Sequence, residues 1–341
     1  MRAIAIEKAG PPESLKIRQW PDPELKPGYV RIRVKAFGLN YADIEARKGQ
    51  YYDAPKMPFI PGYEVAGIVE EKSDEVSNFK KGDRVLAFTP FGGYAEYVCV
   101  PEEAVYKLPK KMSFADGASI PVNFSTAWHA LVHTGTLLKD DRVFIHACAG
   151  GVGLAAIQIA KLFGAEVYGS ASTEEKIVVA KSYGLKEGIN YKEQDFVKTA
   201  KAKWGEKSFD IILDPIGGEQ LKKELCLLRA HGRVVLYGAA AFTDRGGLQA
   251  LKLLPDFFSM ITLNIIDLIK DSRGIYTVNM KRIGDERPAL LRKHMEDIMQ
   301  LFAKGKLKTV IHKIMPWEEI SEAHRLMQNR KTIGKVVLLI D

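Results

Sequence analysis

Short runs in which apolar and polar residues alternate occupy about the first 120 residues of the chain. The clearest are YVRIRVKAF at 29–37, EVAGIVEE at 64–71 and YAEYVCV at 94–100, with Gly, Pro and Tyr frequent between them. A period of two residues is typical of half-buried β-strands, and the residues between the runs are typical of turns. The pattern predicts a mostly β domain.

From residue 141 the pattern changes to continuous apolar runs separated by stretches of helical character. The runs are RVFIHA at 142–147, AEVYGS at 165–170, GIN at 188–190, FDIILD at 209–214 and GRVVLYG at 232–238. Strands of this kind are buried on both faces, and their alternation with helices is typical of βαβ units. We therefore expect a parallel sheet covered by helices. A helix near 287–304 and a closing strand at 335–340 are expected to return to the first domain.

Composition narrows the class of protein. The 341 residues are 46% hydrophobic and 27% charged, which suits two globular domains and excludes disordered, collagen-like and disulfide-scaffold proteins. Cys99, Cys148 and Cys226 lie far apart without a CxxC pair, so we expect no disulfide framework and no structural zinc site. The amino terminus lacks the pattern of a secretory signal, and we expect a cytoplasmic location.

A glycine-rich segment lies where the first strand of the parallel region meets its helix. Gly151, Gly153 and Ala156 fit the G-x-G-x-x-G/A pattern, and Gly150 precedes them. Glycines there allow a tight turn, close approach of the backbone to a pyrophosphate, and helix-start amides that face its charge. The pattern predicts dinucleotide binding, with a merely structural tight turn as the alternative.

The end of the second parallel strand indicates which dinucleotide binds. Ser170 and Ser172 lie there, Lys176 follows, and Ser172-x-x-Glu175 fits a capping box, so that the nearby glutamates mark a helix start. Enzymes that use NAD place an acidic residue at the strand end instead. We predict NADPH, with Ser170 or Ser172 donating to the 2′-phosphate and Lys176 neutralising it, unless Lys176 is an ordinary solvated lysine.

Several motifs together resemble the medium-chain dehydrogenase/reductase superfamily. They are VKAFGLNYAD at 34–43, PFIPGYEVAGIV at 58–69, KKGDRVLAF at 80–88, GGYAEY at 92–97, the glycine-rich segment and GKVVLL at 334–339. The resemblance covers nearly the whole chain and implies an α/β protein. Residues 1–123 and 284–341 would form a GroES-like, mostly β catalytic domain, and residues 124–283 a doubly wound, parallel-sheet (Rossmann) domain that binds NADPH.

Within that superfamily the chain resembles the zinc-independent quinone oxidoreductase branch. Asn40, Tyr63 and Val122 occupy the places of the catalytic zinc ligands, so no metal is expected. VNFSTAW at 122–128 and DPIGG at 214–218 indicate the vesicle amine transport protein-like subgroup. The resemblance implies a reductase that transfers hydride from NADPH to quinones or α,β-unsaturated carbonyls.

The same resemblance implies catalytic roles for Asn40, Tyr41, Tyr52 and Tyr63, which would line a pocket for a small hydrophobic or aromatic substrate. Asn40 would donate a hydrogen bond to the developing oxyanion or to the nicotinamide ribose. Tyr63 or a bound water would deliver the proton, although a phenol is a reluctant acid at pH 7. Simple packing is the alternative for each tyrosine.

Further cofactor contacts also follow from the resemblance. The Val152 amide would face the pyrophosphate, Tyr191 would pack near the adenosine phosphate, and Thr126 would lie near the nicotinamide. Lys335 or Arg330 would reach the cofactor from the closing segment.

The partners of the protein are less determined. The formal net charge of +8 favours anionic partners, but the basic residues are scattered, so we expect no nucleic acid. An apolar stripe across 248–269 packs on the sheet in one interpretation; in the other it contacts a partner or a membrane surface. The second interpretation supports an alternative function, an NADPH-binding interaction or peripheral membrane protein with little catalysis. By resemblance we expect a homodimer joined through residues 275–280.

Overall fold

The computed structural model describes residues 1–240 and 262–341. Numbered along this part of the chain, the strands are β1 (Arg2–Ile4), β2 (Ile17–Gln19), β3 (Tyr29–Leu39), β4 (Glu64–Lys72), β5 (Arg84–Phe88), β6 (Tyr97–Pro101), β7 (Val105–Lys107), β8 (Arg142–Ile145), β9 (Glu166–Ala171), β10 (Glu187–Asn190), β11 (Phe209–Asp214), β12 (Leu228–Leu236), β13 (Gly274–Thr277), β14 (Ile311–Pro316) and β15 (Lys335–Leu339).

The α-helices are numbered in the same way. They are α1 (Tyr41–Arg47), α2 (Phe114–Gly117), α3 (Pro121–Trp128), α4 (Gly151–Leu162), α5 (Glu174–Tyr183), α6 (Phe196–Trp204), α7 (Glu219–Leu225), α8 (Ile265–Asp271), α9 (Met280–Glu286), α10 (Pro288–Ala303) and α11 (Ile320–Gln328). A π-helical turn, His129–Thr134, continues α3.

The chain divides into two compact units. The first, which we call the β unit, contains Met1–Ser125 and Lys281–Asp341, and the second, the parallel unit, contains Thr126–Met280. The carboxyl-terminal segment from Lys281 therefore lies in the same unit as the amino-terminal segment. The assignment of separate functional domains to these parts of the sequence stays a prediction.

The β unit is built on a seven-stranded sheet in the order β14-β15-β3-β4-β5-β7, with β6 paired to β3. Val30, Ile32 and Val34 of β3 are buried at every second position, whereas β3 is buried at every position from Ala36 onward. Alternation therefore predicted the strand correctly, and its later part is covered on both faces. In α10, the buried Leu291, Met295 and Ile298 recur at helical spacing.

The parallel unit contains a six-stranded sheet in the order β10-β9-β8-β11-β12-β13, and all five strand pairs are parallel. This is a doubly wound order: from β8 to β10 the chain adds strands toward one edge of the sheet, and from β11 to β13 it adds them toward the other, so that the strand order reverses between β8 and β11. Ligands of such sheets bind outside the carboxyl ends of the strands at that reversal. The predicted fold class, a GroES-like mostly β part with a Rossmann part, is confirmed.

The predicted apolar stripe is only partly described. Residues 248–261 lie outside the described residues. Leu263 packs against the buried core of the parallel unit, and α8 begins at Ile265, with Ile265, Ile266 and Ile269 exposed. Over residues 1–240 and 262–341, no helix is both long and apolar enough to cross a membrane.

Candidate active site

The glycine-rich turn between β8 and α4 has the geometry that an anion site requires. Gly150 caps α4 without any side-chain hydrogen bond to the first helical amides. A Cβ atom at Gly153 would lie 2.6 Å from the carbonyl oxygen of Ala147, so only glycine allows this close approach. Val152 lies in the first turn of α4, where its amide is one of those not used within the helix. The turn fits the diphosphate of a dinucleotide.

The carboxyl ends of β9 and β10 carry the residues predicted to select the cofactor. Ser172 follows β9 directly, Lys176 lies in the first turn of α5, and Tyr191 follows β10. The Tyr191 amide donates to the carbonyl oxygen of Ala171 at 3.1 Å, which joins the two strand ends. The structure therefore places Ser172, Lys176 and Tyr191 on two neighbouring strand ends.

The predicted capping box at Ser172 and Glu175 is wrong. Thr173 is the N-cap of α5, and its hydroxyl accepts a hydrogen bond from the Lys176 amide at 3.3 Å. The helix begins at Glu174, one residue later than the capping box requires. Capping therefore does not occupy the Ser172 hydroxyl.

Ser170, the other serine predicted to bind phosphate, is directed into the protein. It is 1% exposed, and its Oγ lies 2.9 Å from Nδ1 of His146. The sequence left Ser170 and Ser172 as alternatives for the 2′-phosphate. Because the Ser170 hydroxyl lies against His146 inside the protein, Ser172 is favoured as the serine that contacts the 2′-phosphate.

In the β unit, Asn40 belongs to a buried polar network. Lys335 Nζ donates to Asn40 Oδ1 at 2.6 Å, and Asn40 Nδ2 donates to Glu64 Oε1 at 2.9 Å. Lys335 also forms an ion pair with Glu64, and both side chains are almost completely buried. We call these three residues the Lys335 network.

Strand order explains why three residues distant in sequence meet. Asn40 directly follows β3, Glu64 begins β4 and Lys335 begins β15. Because β4 and β15 flank β3 and run antiparallel to it, their first residues lie beside its last residues. A Cβ atom at Gly38 would lie 2.7 Å from Glu64 Oε1, so glycine makes room for the network.

The three positions that the resemblance matched to zinc ligands can now be compared. The Val122 amide donates to Glu64 Oε2 at 2.8 Å, so the Val122 backbone and the Asn40 side chain share one carboxylate. The third position, Tyr63, is buried among aromatic rings, with ring centroids 5.9 Å from Tyr51 and 5.0 Å from Phe91. Within the described part of the chain, no three His, Cys, Asp or Glu residues are grouped to hold a metal ion.

The predicted tyrosines have different environments. Burial, and secondarily the charge of Asp43, raise the pKa of Tyr63 above its usual value, which makes it a weaker proton donor. Tyr52 is 91% exposed, and Tyr41 is half-buried at the start of α1. The structure therefore brings Tyr63 together with Tyr51 and Phe91 and leaves Tyr52 facing solvent.

Asp43 lies beside this aromatic cluster. It is fully buried, and its carboxyl group accepts hydrogen bonds from the amides of Asn40 at 2.8 Å and Gly62 at 3.0 Å. Burial raises the pKa of Asp43 to about 7. Its contact with the Gly62 amide joins α1 to the segment before β4, and its contact with the Asn40 amide lies at the start of α1 itself.

Two remaining predicted cofactor residues are also buried. Thr126 lies in α3 and is 5% exposed. Lys335 has its ammonium group in the Lys335 network rather than at the surface. Their cofactor contacts stay predictions.

Sequence reasoning missed a second buried polar cluster, in the parallel unit. His146 Nε2 lies 3.0 Å from Glu224 Oε1. Asp214 accepts hydrogen bonds from the amides of Ile216 at 2.6 Å and Gly217 at 2.9 Å. His146 follows β8 and Asp214 ends β11, so polar residues at the ends of two apolar runs were the available signal. We call Ser170, His146, Asp214 and Glu224 the His146 network.

The two units together define a dinucleotide-dependent oxidoreductase of the medium-chain type. Two family models match the chain: the alcohol dehydrogenase GroES-like domain over residues 26–110 and the zinc-binding dehydrogenase over residues 183–338.

Known proteins narrow this class. Human quinone oxidoreductase is 35% identical over 343 residues, covering 100% of this chain and 98% of the relative. The Danio rerio synaptic vesicle membrane protein VAT-1 homolog is 33% identical over 339 residues, covering 99% of this chain and 69% of the relative. The crystal structure of Escherichia coli quinone oxidoreductase complexed with NADPH matches with a TM-score of 0.87 at 26% identity, covering 100% of both chains. The chain belongs to the quinone oxidoreductase family of medium-chain dehydrogenases/reductases, and its predicted family is confirmed.

Proposed function

We propose that the protein is an NADPH-dependent, zinc-independent reductase that transfers hydride to quinones or α,β-unsaturated carbonyls. The observation that carries the proposal is the Lys335 network, in which the buried ammonium group of Lys335 donates a hydrogen bond to Asn40. Asn40 and Val122, at two of the positions matched to zinc ligands, both donate to Glu64 of this network. The relative that is complexed with NADPH supports the choice of cofactor.

Asn40 is suited to bind the oxygen of an acceptor. Its Oδ1 accepts from Lys335, which draws electron density from the amide and strengthens its N–H donors. One Nδ2 hydrogen is used by Glu64, whereas the contact of Nδ2 with the Gly38 carbonyl oxygen is long, at 3.4 Å. The second Nδ2 hydrogen, which makes only this long contact, is therefore the one we assign to a substrate oxygen, whose developing negative charge it would stabilise by about 3 kcal/mol.

The remaining parts of the proposed reaction are the source of the hydride, the binding of the cofactor and the source of the proton. When bound, NADPH supplies the hydride, and an enone or quinone is electrophilic enough to accept it without a Lewis acid. The glycine-rich turn from Gly150 to Gly153 binds the diphosphate through backbone amides. Since burial weakens Tyr63 as an acid, we propose that solvent water donates the proton that completes the reduction.

The preference for NADPH over NADH follows from Ser172, Lys176 and Tyr191 at the ends of β9 and β10. A hydroxyl and an ammonium suit a phosphate better than a ribose hydroxyl. Replacing Ser172 and Lys176 together with alanine is expected to weaken NADPH binding about tenfold or more, and NADH binding little. Lys181→Ala, which removes an exposed lysine of the same helix, is the matched control.

Turnover with a panel of quinones and enones tests the proposed reaction. We expect NADPH oxidation that depends on the acceptor, and a kcat reduced about 100-fold in Asn40→Ser. Serine is chosen because it retains an N-cap for α1. Asn78→Ala, which alters an exposed asparagine, should leave kcat unchanged. Absence of NADPH oxidation above background with every acceptor would reject the proposal.

A second candidate function, an NADPH-binding peripheral membrane protein with little catalysis, is favoured by the exposed Ile265, Ile266 and Ile269 of α8. The relative named as a synaptic vesicle membrane protein supports the same idea. Flotation with acidic liposomes, compared between the natural protein and Ile265→Ser/Ile269→Ser, tests it. Protein that stays entirely in the dense fraction would eliminate this candidate.

We also propose a homodimer. Among the described strands of the parallel sheet, β13 lies at an edge, where backbone groups remain available for pairing. Tyr276 in its centre is about half exposed. Sedimentation of the natural protein should give twice the chain mass, and Ile275→Pro should favour the monomer.

A further inference from the structure

We propose that His146 is a positioning residue for dinucleotide binding, because the His146 network fixes the ends of β8, β9 and β11 beneath the glycine-rich turn. This inference rests on the proposed function to the extent that the turn is taken to bind the diphosphate. It assigns a role to three titratable residues, His146, Asp214 and Glu224, that the proposed reaction does not use.

The His146 side chain joins several elements at once. Its Nδ1 lies 2.9 Å from Ser170 Oγ on β9, and its Nε2 lies 3.0 Å from Glu224 Oε1 on α7. Its backbone amide donates to the Leu213 carbonyl oxygen on β11 at 3.1 Å. The ring packs against Phe144, with centroids 4.9 Å apart. Through its imidazole, His146 therefore contacts β9 and α7, and through its backbone amide it contacts β11.

The turn depends on the same contacts. Ala147 directly follows His146 and has a φ of +49°, a conformation that L-residues rarely adopt. The Cys148 amide donates to the Ser170 carbonyl oxygen at 3.0 Å, and the Gly150 amide donates to the Ala147 carbonyl oxygen at 2.8 Å. A shift of His146 or Ser170 therefore moves the residues that present amides to the diphosphate.

The network also places ionisable groups below an anion site. Burial raises the pKa of Asp214 to about 7 and the pKa of Glu224 to about 8, and it lowers the pKa of His146 to about 4. At neutral pH the imidazole is therefore uncharged, and the two carboxyl groups retain at least one proton between them.

Side chains from neighbouring elements surround the ionisable groups of the His146 network. Ser170 from β9 faces His146, as does Gln220 from α7 at 3.2 Å, and Phe196 from α6 packs on its ring. Tyr237, the residue after β12, interacts with Asp214 and has a raised pKa because of burial. As pH rises through about 8, the second carboxyl group ionises, and its charge opposes the diphosphate.

Binding of NADPH and NADH at about pH 7 and about pH 9 tests the inference. The dissociation constant of the natural protein for the preferred dinucleotide should rise about threefold or more across this range. Glu224→Gln keeps the shape of the side chain but removes its titration, so its dissociation constant should change less. Glu219→Gln, an exposed acid on the same helix, should behave like the natural protein.

A second variant separates positioning from general packing. His146→Phe should raise the KM for NADPH about tenfold while kcat at saturating cofactor stays within about twofold. Ser170→Ala removes only the Oγ contact and should show a smaller shift in the same direction. An unchanged KM in both variants, or a Glu224→Gln pH profile equal to that of the natural protein, would overturn the inference.

These outcomes are distinguishable from failure of the proposed function. Tight binding of NADH alone would reject the cofactor choice, but the His146 network would still be tested with NADH. Failure of the natural protein to bind either dinucleotide would reject both proposals. Normal binding without turnover would reject only the proposed reaction.

Discussion

The two units bury polar side chains in different ways. The Lys335 network in the β unit contains a cation, which lies against the Glu64 carboxylate and the Asn40 amide. The His146 network in the parallel unit contains two carboxyl groups and a neutral imidazole, whose pKa values are shifted by burial. One network compensates charge by pairing, and the other reduces charge by retaining protons. The difference predicts opposite sensitivities to mutation and to pH.

The largest effect is expected from Lys335→Met. Methionine leaves the Glu64 carboxylate buried without its cation, so the free energy of unfolding should fall by about 3–5 kcal/mol. Urea unfolding measures this change.

Two further variants make the test of Lys335 specific. Lys304→Met, at an exposed lysine, should change stability little. Adding Glu64→Gln to Lys335→Met should recover part of the loss. A loss below about 1 kcal/mol in Lys335→Met would show that charge pairing does not stabilise the β unit.

The next effect concerns pH. Because the pKa of Glu224 is raised from its usual value to about 8, the folded state holds a proton that the unfolded state has already lost. The stabilisation is present below the ordinary glutamate pKa and is lost as pH rises through about 8. The unfolding free energy of the natural protein should therefore fall as pH rises from about 6.5 to 8.5. Glu224→Gln should make this slope smaller by up to about 1.4 kcal/mol per pH unit.

The difference between the natural protein and the variant is the quantity to compare, because Asp43 in the β unit also has a raised pKa, of about 7, and adds its own slope. Asp214 contributes in the same direction, since burial raises its pKa as well. Equal slopes in both proteins would contradict the assignment of a retained proton to the His146 network.

A smaller effect distinguishes two neighbouring residues of the parallel unit. Thr173→Ala removes the N-cap of α5 and should lower the unfolding free energy by about 1 kcal/mol. Ser172→Ala should change stability by less than about 0.5 kcal/mol but weaken NADPH binding. The reverse pattern, with Ser172 as the stabilising residue, would restore the capping box that the sequence suggested.

The smallest effect is expected at an ion pair whose arginine side chain is about half exposed, although its Asp53 side chain is only 8% exposed. Arg282 donates to Asp53 Oδ1 from Nε at 3.0 Å and from Nη2 at 2.6 Å, and its side chain is about half exposed. Arg282→Ala should lower the unfolding free energy by less than about 1 kcal/mol. Comparison with Lys335→Met then shows how far burial, rather than charge pairing itself, determines the effect.

Features carried by neighbouring residues could be predicted from the sequence. The alternation in β3, the apolar runs of β8 and β11 and the glycine-rich turn each occupy one short segment, and all were predicted. Strand periodicity and the need for glycine at a close approach are local properties that a single sequence carries.

Features that depend on strand order could not be predicted. Asn40 was singled out, but its contact with Lys335 joins residues 295 positions apart and exists because β15 lies beside β3. The partner of His146 could not be predicted either, because Glu224 approaches it only after α7 packs on the sheet. The exposure of the tyrosine side chains could not be predicted either, since nothing in the local sequence distinguishes the solvent-facing Tyr52 from the buried Tyr63.

The central claim is that Asn40 and the buried Lys335 ammonium take the place of a catalytic metal. Its most direct test is the rate of quinone-dependent NADPH oxidation by the natural protein before and after exhaustive treatment with a chelator, with bound zinc assayed in the same sample. We predict an unchanged rate and no zinc in stoichiometric amount. A rate that is lost on chelation and restored by added zinc would contradict the account.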